Sequence, residues 1–413
     1  MVRKREARRG ERISDRAERK RGAAGAPPQV ELGRGAAARA GLVALALLGL
    51  LALRAGPALA AGEIRVAVIE GAAVVEVGGG PLEVRDAAGR AVLAGTPTWL
   101  RLVAGRGGVE VRGVRLPVLP GFLIASATGG AVRVNTRDYP GVIEISKTGE
   151  GLLVVNQLPF EEYLVGTVQA EAGDRAPLPM LEAQAIVART YAAYHWHLNA
   201  ARLYHIGATT AHQQYLGRVS PDSPARQAVR ETEGRVLLWE GDLFPAFYHT
   251  DSGGHTEDPR VVFAAANMPA LRPVRVEFAS DSPHHVWRLD VPLTELAALL
   301  RRGGVSAGRI VALEVLERSV SLRVVRLLVR GTRGAAVVRG SDLRRLLGYD
   351  RLKSTLFAVA VDGSLARFAG RGYGHGVGMD QSTAKTMAQL GYSAEQILVY
   401  YYPRTTFGVL TYR

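Results

Sequence analysis

Five glycines alternate with other residues near the C-terminus, at positions 370, 372, 374, 376 and 378. Glycine has no side chain, so this spacing clears one face of an extended segment for close approach to its backbone. The opposite face then presents Arg371, Tyr373 and His375, a surface suited to a flat polar polymer. A dinucleotide-binding loop is disfavoured, because that motif follows a first strand and opens a helix. Glycines in a tight turn are the structural alternative.

The first 61 residues differ in composition from the rest of the chain. Residues 1–39 hold 12 basic and five acidic side chains and almost no large apolar residue, so we predict a disordered basic extension. Residues 40–61 contain an apolar run of 12 residues followed by small residues up to Ala60 and Ala61. A basic flank, a short apolar core and a small-residue exit predict a secretory signal peptide or, if it is not cleaved, an N-terminal anchor.

The formal net charge of +14 overstates the charge of the exported part. Residues 62–413 carry 39 basic and 33 acidic side chains, an excess that is compatible with an anionic cell wall and too small to argue for nucleic acid. The chain has no cysteine, which excludes thiol catalysis and thiolate metal sites. We therefore expect an exported protein of the bacterial envelope, in the periplasm or cell wall, with membrane contact only through the signal or anchor segment.

The pattern of the exported part predicts an α+β fold. Residues 62–146 combine short alternating segments with frequent glycine turns, which predicts a small β-rich domain. Residues 147–413 form the second predicted domain. It contains helices predicted at 160–172, 180–197, 293–301 and 341–347, and a capping-box pattern at 393–396 before a last helix.

Glu171 is the candidate acid of the first predicted helix. The apolar stripe of this helix includes Phe160, Leu164 and Val168, and Glu171 continues it. A carboxyl on a core-facing stripe is partly desolvated, which raises its pKa and suits it to general-acid cleavage of a glycosidic bond. The alternative is a solvated glutamate at a helix end. Glu161 lies in the first turn, where it complements the helix dipole, and we assign it a structural role.

Polar side chains cluster in two further segments, residues 211–217 and 247–258. Hydrogen-bonding residues that line a sugar site are one interpretation, and ordinary polar loops are the other. His205 and His212 flank a loop and are candidate metal ligands. No third or fourth ligand is evident in the sequence, whereas structural zinc sites have four.

Four segments, in this order, resemble the stage II sporulation protein D / amidase-enhancer (SpoIID/LytB) family. They are residues 158–171, 181–192, 248–256 and 370–381, the last followed by Tyr-Tyr-Tyr-Pro at 400–403. The resemblance covers about residues 150–405, and the combination of segments is specific.

The resemblance implies a lytic transglycosylase of bacterial peptidoglycan that prefers glycan strands without stem peptides. Glu171 would protonate the oxygen between N-acetylmuramic acid and N-acetylglucosamine, and then accept a proton from the muramyl C6 hydroxyl as it closes on C1. One carboxyl suffices, because the nucleophile is internal and the usual glycosidase pair is not needed. The candidate substrate-binding residues are Arg189, Gln213, Tyr215, His249, Ser252, Arg371, Tyr373 and His375.

The chain departs from the family pattern at the metal site and in the glycine segment. Sporulation members hold zinc with His and Cys, whereas here His212 stands where a cysteine is expected before Gln213. We therefore predict no cofactor, or at best a weak zinc site near His205 and His212. Asp380 and Thr383 replace the usual Ser and Gly, so the substrate fit there is expected to differ.

Two other functions remain open on the sequence. A non-catalytic enhancer of a cell-wall amidase would keep its function after Glu171→Gln and would require added amidase for wall lysis. A structural envelope protein would bind wall without forming products. Retention of Glu171 and of the full glycine segment favours the enzyme.

Overall fold

A computed structural model describes residues 62–93, 96–114, 118–263 and 268–412. The predicted basic extension at 1–39 and the predicted signal or anchor segment at 40–61 lie outside these residues. Within the described ranges, no helix is both long enough and apolar enough to cross a bilayer.

The described residues combine many short strands with helices, which confirms the predicted α+β class. The strands are β1 (Glu63–Ala72), β2 (Val74–Gly78), β3 (Leu82–Asp86), β4 (Trp99–Ala104), β5 (Val109–Arg112), β6 (Gly121–Ser126), β7 (Val132–Val134), β8 (Arg137–Tyr139), β9 (Val142–Thr148), β10 (Gly151–Pro159), β11 (Ile206–Gly207), β12 (Arg235–Leu238), β13 (Tyr248–His249), β14 (Val286–Pro292), β15 (Ile310–Arg318), β16 (Val324–Gly331), β17 (Gly334–Arg339), β18 (Phe357–Asp362), β19 (Leu365–Arg371), β20 (Met379–Asp380) and β21 (Thr406–Val409). The helices are α1 (Phe160–Ala172), α2 (Leu178–Leu198), α3 (Pro224–Glu231), α4 (Pro259–Phe263), α5 (Leu293–Arg302), α6 (Gly340–Leu347), α7 (Gln381–Gln389) and α8 (Ala394–Tyr401), with a 3₁₀ turn at Pro269–Leu271.

Two sheets form the N-terminal part of the described chain. The six-stranded sheet has the order β11-β1-β10-β9-β6-β3, and the five-stranded sheet has the order β5-β4-β2-β7-β8. Side chains of both sheets, such as Val66 and Val77, share one hydrophobic core with Leu164 of α1 and Leu181 of α2. The sequence boundary predicted between residues 146 and 147 lies in strand β9, which pairs with β10, so the β-rich part and the first helices pack as one body.

Helix α1 has the bounds that its apolar stripe predicted. Phe160, Leu164 and Val168 are fully buried against the first core. The helix ends at Gly173, whose φ of 69° lets its N–H donate to the Gln169 carbonyl. This ending places Glu171 in the last turn of the helix.

Helix α2 lies between two hydrophobic cores. Leu181 and Ala185 belong to the first core, whereas Ile186 and Val187 belong to a second core built with α7 and α8. A helix that is apolar on all sides is expected to be buried on all sides. Gln184, Arg189 and Thr190, in the middle of α2, therefore lie inside the protein, whereas His197 near its end is exposed.

Residues 286–371 form a separate unit, which we call the double-sheet module. It consists of the three-stranded sheets β14-β19-β18 and β15-β16-β17 together with α5 and α6. Its core, which includes Leu300, Val329 and Phe368, is distinct from the other two. The sequence pattern did not separate this module from the rest of residues 147–413.

Candidate functional site

Glu171 lies half-buried at the point where helix α1 meets three other segments of the chain. Its Oε1 accepts a hydrogen bond from the backbone N–H of Gln214 at 2.7 Å. The side-chain amide of Gln381, the first residue of α7, donates to the main-chain carbonyl of Glu171 at 3.4 Å and to the side-chain oxygen of Gln184 at 3.2 Å. Amide groups from α2, α7 and a loop therefore surround the carboxyl.

Burial raises the pKa of the Glu171 carboxyl above its ordinary value of 4.5. Polar groups of Gln214, Tyr248 and Gln381 near the carboxyl oppose this shift only in part. The C-terminal end of a helix also disfavours negative charge. The carboxyl thus keeps its proton to a higher pH than a solvated glutamate, as its place on the stripe predicted.

The Tyr248 hydroxyl is a hydrogen-bonding group without an established partner in this site. It is buried and has no hydrogen bond of good geometry among the residues that the structure describes. It nevertheless lies close enough to Glu171 to lower the pKa of that carboxyl. Burial raises the pKa of Tyr248 well above 10, so the hydroxyl stays protonated and available to donate to the ionised carboxylate or to a ligand.

The third and fourth family-like segments are joined directly to one another. Strand β13 pairs in parallel with β20, and the backbones of Asp251 and Tyr373 exchange two hydrogen bonds of 2.9 and 2.8 Å. Tyr248 and Gln381 are consequently carried to Glu171 by two segments that support each other.

The expectation of an extended glycine segment is wrong beyond Arg371. Gly372, Gly374, Gly376 and Gly378 have φ angles of 76°, 115°, 88° and 73°, which belong to turns and not to a strand. A side chain at Gly372 would come within 2.6 Å of the Asp251 carbonyl oxygen, and a side chain at Gly378 would overlap a backbone carbonyl. The glycines therefore admit neighbouring protein segments, and do not clear a face for a polymer.

Arg371 is exposed, whereas Tyr373 and His375 are each half-buried. The Arg371 guanidinium contacts Nε2 of His285 at 2.8 Å, and His285 Nδ1 lies 3.2 Å from the buried Asp251 carboxylate. The Tyr373 hydroxyl donates a hydrogen bond to the Asp350 carboxylate in the double-sheet module. His375 packs against aromatic side chains, and burial lowers its pKa to about 3. Of the three, Arg371 is the most accessible to a ligand.

The remaining predicted site residues are buried structural groups. Arg189, Gln213, Tyr215 and Ser252 are fully buried, and His249 is 4% exposed. Most of their polar atoms bind the protein itself, as in the hydrogen bonds from Gln213 to the Ala188 carbonyl, from the Tyr215 hydroxyl to Asn156 and between His249 Nδ1 and the Val377 carbonyl. The exception is His249 Nε2, which is buried and has no hydrogen-bond partner among the described residues. The sequence pattern identified polar residues near the site but did not distinguish those that face it from those that support it.

Arg189 does not line a cleft in this structure. Its guanidinium makes a two-point ion pair with Glu161 at 2.8 and 2.7 Å and also donates to the carbonyls of Arg235 and Val229. Glu161, which the helix dipole argument assigned to structure, is the partner that holds it. The sequence pattern placed Arg189 at a cleft, whereas Arg189 lies in the buried part of α2, where its charge must be satisfied by other groups of the protein.

We expect Arg189→Met to lower the free energy of unfolding by about 2–3 kcal/mol, because it leaves the partly buried Glu161 carboxylate without its cation. Chemical denaturation measures this loss. Arg226→Met is the matched control. It breaks the ion pair between Arg226 and Glu162, the residue that follows Glu161 on α1, and the two side chains of this pair are 34% and 28% exposed. The control should lose no more than about 1 kcal/mol. Equal losses in the two variants would contradict a structural role for Arg189.

The histidines considered as metal ligands do not converge. His205 Nδ1 accepts a hydrogen bond from the Arg65 backbone N–H at 3.1 Å. His212 instead lies against the ring of His195, with 5.4 Å between ring centroids. Within the described residues, no group of three or more His, Cys, Asp or Glu side chains is arranged to hold a metal ion. The absence of a cofactor stays a prediction.

Three residues of the site were not singled out from the sequence. Gln214, Tyr248 and Gln381 each adjoin a residue that was named, but no local pattern marks them as neighbours of Glu171. The available signal was that Tyr248 and Gln381 lie in the family-like segments and that Gln214 lies in the polar segment 211–217. A prediction that also contained the two neighbours of each named residue in the sequence would have included all three.

Comparison with known proteins identifies two matching regions. Residues 148–239 match the stage II sporulation protein (SpoIID) family, and residues 273–378 match a domain of unknown function (DUF8618). The first match contains Glu171 and Gln214, and the second contains the whole double-sheet module. Tyr248 and Gln381 lie outside both matches.

Curated relatives cover a larger part of the chain. A stage II sporulation protein D of Bacillus amyloliquefaciens is 27% identical over 60% of this chain and 74% of its own length. An uncharacterized protein of Brachyspira hyodysenteriae is 28% identical over 68% of this chain and 74% of its own length. The amidase enhancer of Bacillus subtilis is 28% identical over 59% of this chain but only 40% of its own length. These matches show that the chain is similar to stage II sporulation protein D and to the amidase enhancer over about 60% of its length.

Proposed function

We propose that the chain is an exported lytic transglycosylase that cleaves the bond between N-acetylmuramic acid and N-acetylglucosamine in peptidoglycan glycan strands. Similarity to the SpoIID family and to curated relatives supports a role connected with sporulation or the cell wall. The observation that carries the finer proposal is the environment of Glu171, a half-buried carboxyl whose pKa is raised by burial and which has hydrogen-bond donors around it. Such a group is equipped to give a proton and later to take one back.

In the first step, protonated Glu171 transfers its proton to the glycosidic oxygen while the bond from that oxygen to the muramyl C1 breaks. The carboxylate that remains is stabilised by the Gln214 N–H and faces the Tyr248 hydroxyl and the Gln381 amide. These groups lower the pKa of Glu171 and so help it to act as an acid.

In the second step, the Glu171 carboxylate accepts the proton of the muramyl C6 hydroxyl as that oxygen bonds to C1. The enzyme regains its starting protonation state, and the product carries a 1,6-anhydro ring with no water consumed. This mechanism needs one carboxyl in place of the glycosidase pair, because the nucleophile is internal.

The experiment is a digest of peptide-free glycan strands by the purified protein, with products identified by mass spectrometry. We expect muramyl ends that are lighter by one water than hydrolysed ends. Hydrolysed ends in their place would contradict the internal nucleophile, and the absence of any product would contradict the enzyme.

An amidase-enhancing role is the second candidate, because one relative carries that name. A stimulation assay with a purified cell-wall amidase separates the two functions. If the protein forms no glycan product but accelerates the amidase, the enhancer function replaces the enzyme. Wall binding without either effect would indicate a structural envelope protein.

A further inference from the structure

The double-sheet module contains a cavity that the Glu171 site does not use. Its volume is about 1220 Å³, and it lies between helix α5 and the ends of strands from both three-stranded sheets. Leu300, Ile310 and Val329, which belong to the core of the module, are among its lining residues. Ligand pockets of drug size occupy roughly 300–1,000 Å³, so this cavity has room for a small molecule or a lipid chain. Its floor is apolar.

The rim of the cavity is basic. Arg301, Arg309 and Arg333 line it together with serine and threonine hydroxyls, and none of its lining residues is acidic. Across the described residues, none of these three guanidinium groups has a hydrogen-bond or ion-pair partner. The rim is therefore a cluster of cations without counter-charges from the protein.

Among the described residues, five other arginines of the module form ion pairs with neighbouring acids: Arg326 with Glu317, Arg330 with Glu314, Arg345 with Asp342, Arg351 with Glu295 and Arg367 with Asp362. Arg326, Arg330 and Arg367 do not line the cavity and therefore supply a matched set of paired arginines.

Sequence counts place the surplus of positive charge in this module. Residues 286–371 contain 16 basic and seven acidic residues, whereas the rest of residues 62–413 contains 23 basic and 26 acidic residues. The mild positive charge of the exported part thus originates from the module that holds the cavity. An anion approaching the protein is attracted to this region first.

We propose that the cavity binds an amphiphile with a phosphate head and a single acyl chain. The acyl chain lies on the apolar floor, and the phosphate meets the three rim arginines. A phosphate offers three oxygens and up to two negative charges, which suits several guanidinium groups better than one carboxylate does. The apolar floor has no function for a free inorganic anion, so the chain is part of the ligand. This proposal is independent of the reaction at Glu171.

The test is calorimetric titration of the full chain with dodecyl phosphate below the concentration at which it forms micelles. Inorganic phosphate and dodecyl maltoside are titrated in parallel, and each should bind at least about tenfold more weakly than dodecyl phosphate, because each lacks one half of the recognised chemistry. If inorganic phosphate binds as tightly, the site is one for free phosphate. If the maltoside binds as tightly, the arginines are irrelevant. Either result overturns the proposal.

Two sets of variants locate the binding. Replacing Arg301, Arg309 and Arg333 by serine should weaken dodecyl phosphate at least about tenfold. Replacing Arg326, Arg330 and Arg367 by serine removes the same net charge from the same module and should change the affinity less than about twofold. Equal losses of affinity in the two sets of variants would show that only the net charge of the module matters, and this would overturn the proposed site.

A third variant tests the floor of the cavity. Ala297→Trp places a large ring in the cavity, because Ala297 lines it and is only half-buried. Binding of dodecyl phosphate should be lost in this variant, with the melting temperature reported beside it to show that the module is folded. Undiminished binding by the folded variant would place the ligand elsewhere.

Discussion

Glu171→Gln is expected to slow glycan cleavage by about 10²- to 10⁴-fold, the usual contribution of a positioned general acid and base. Glutamine keeps the size of the side chain and still accepts the hydrogen bond from the Gln214 N–H, but it has no proton to transfer. The rate of anhydro-end formation on peptide-free glycan strands measures the loss. A variant that keeps more than about a tenth of the wild-type rate would exclude Glu171 from proton transfer.

The same substitution should make the protein more stable at neutral pH. The folded-state pKa of Glu171 lies above its ordinary value of 4.5, so the folded protein holds this proton more tightly than the unfolded chain. Stability therefore falls as pH rises through the interval between the two pKa values and stays lower above it. Glutamine does not titrate, so the variant does not lose this stability as the pH rises. Thermal unfolding should show a gain for Glu171→Gln that is absent near pH 4 and grows as the pH is raised.

Wild-type cleavage should decline over that same interval, because the first step requires the protonated carboxyl. Glu182→Gln is a matched control for both effects. Burial also raises the pKa of Glu182, but the charged groups that affect it are Glu231, Glu395 and Arg235, away from Glu171. This control should gain stability and keep its activity. A control that loses activity in parallel would indicate that the assay reports folding and not chemistry.

Gly378→Ala is expected to destabilise the protein by about 3–5 kcal/mol, the sum of backbone strain at positive φ and overlap with a rigid neighbour. An added Cβ would overlap the Phe247 carbonyl oxygen. That carbonyl cannot move away freely, because it accepts a hydrogen bond from the Tyr402 hydroxyl at 2.7 Å, and the same hydroxyl accepts one from the Met379 N–H at 3.0 Å. Denaturant unfolding measures the loss.

Gly391→Ala separates the two causes. Its φ of 90° gives the same kind of strain, but nothing lies within 4 Å of an added Cβ. The control should therefore lose only about 1–2 kcal/mol. Similar losses at both positions would show that strain alone explains the alternating glycines and that close packing of the two segments contributes little.

Local features of the fold were predictable from the sequence. Helix α1 was predicted at its observed bounds, because an apolar stripe begins after Pro159 and Gly173 ends it. The capping box of Ser393 and Gln396 is present at the start of α8. Each of these features depends on residues that lie within a few positions of one another, and local backbone chemistry suffices to specify them.

The site could be predicted only in part, because its contacts are not local. The apolar stripe of α1 predicted that Glu171 is partly desolvated and that its pKa is raised. The buried environment of Arg189 was not predictable, because a sequence pattern does not show that α2 lies between two cores. The glycine segment was predicted to be extended because alternation resembles a strand, whereas Gly372, Gly374 and Gly378 allow close contact with residues 247–253, more than a hundred positions earlier.

The separation between Glu171 and Gln381 along the chain determines when, during synthesis, the candidate site can assemble. These residues are 210 positions apart, and Tyr248 lies between them in the chain. Synthesis proceeds from the N-terminus, and contacts between distant residues form late in folding. A growing chain that has emerged only through α3 carries Glu171 without Tyr248 or Gln381. Under the proposed function, the catalytic site is therefore incomplete during most of synthesis and is assembled only after nearly the whole molecule has been made and folded.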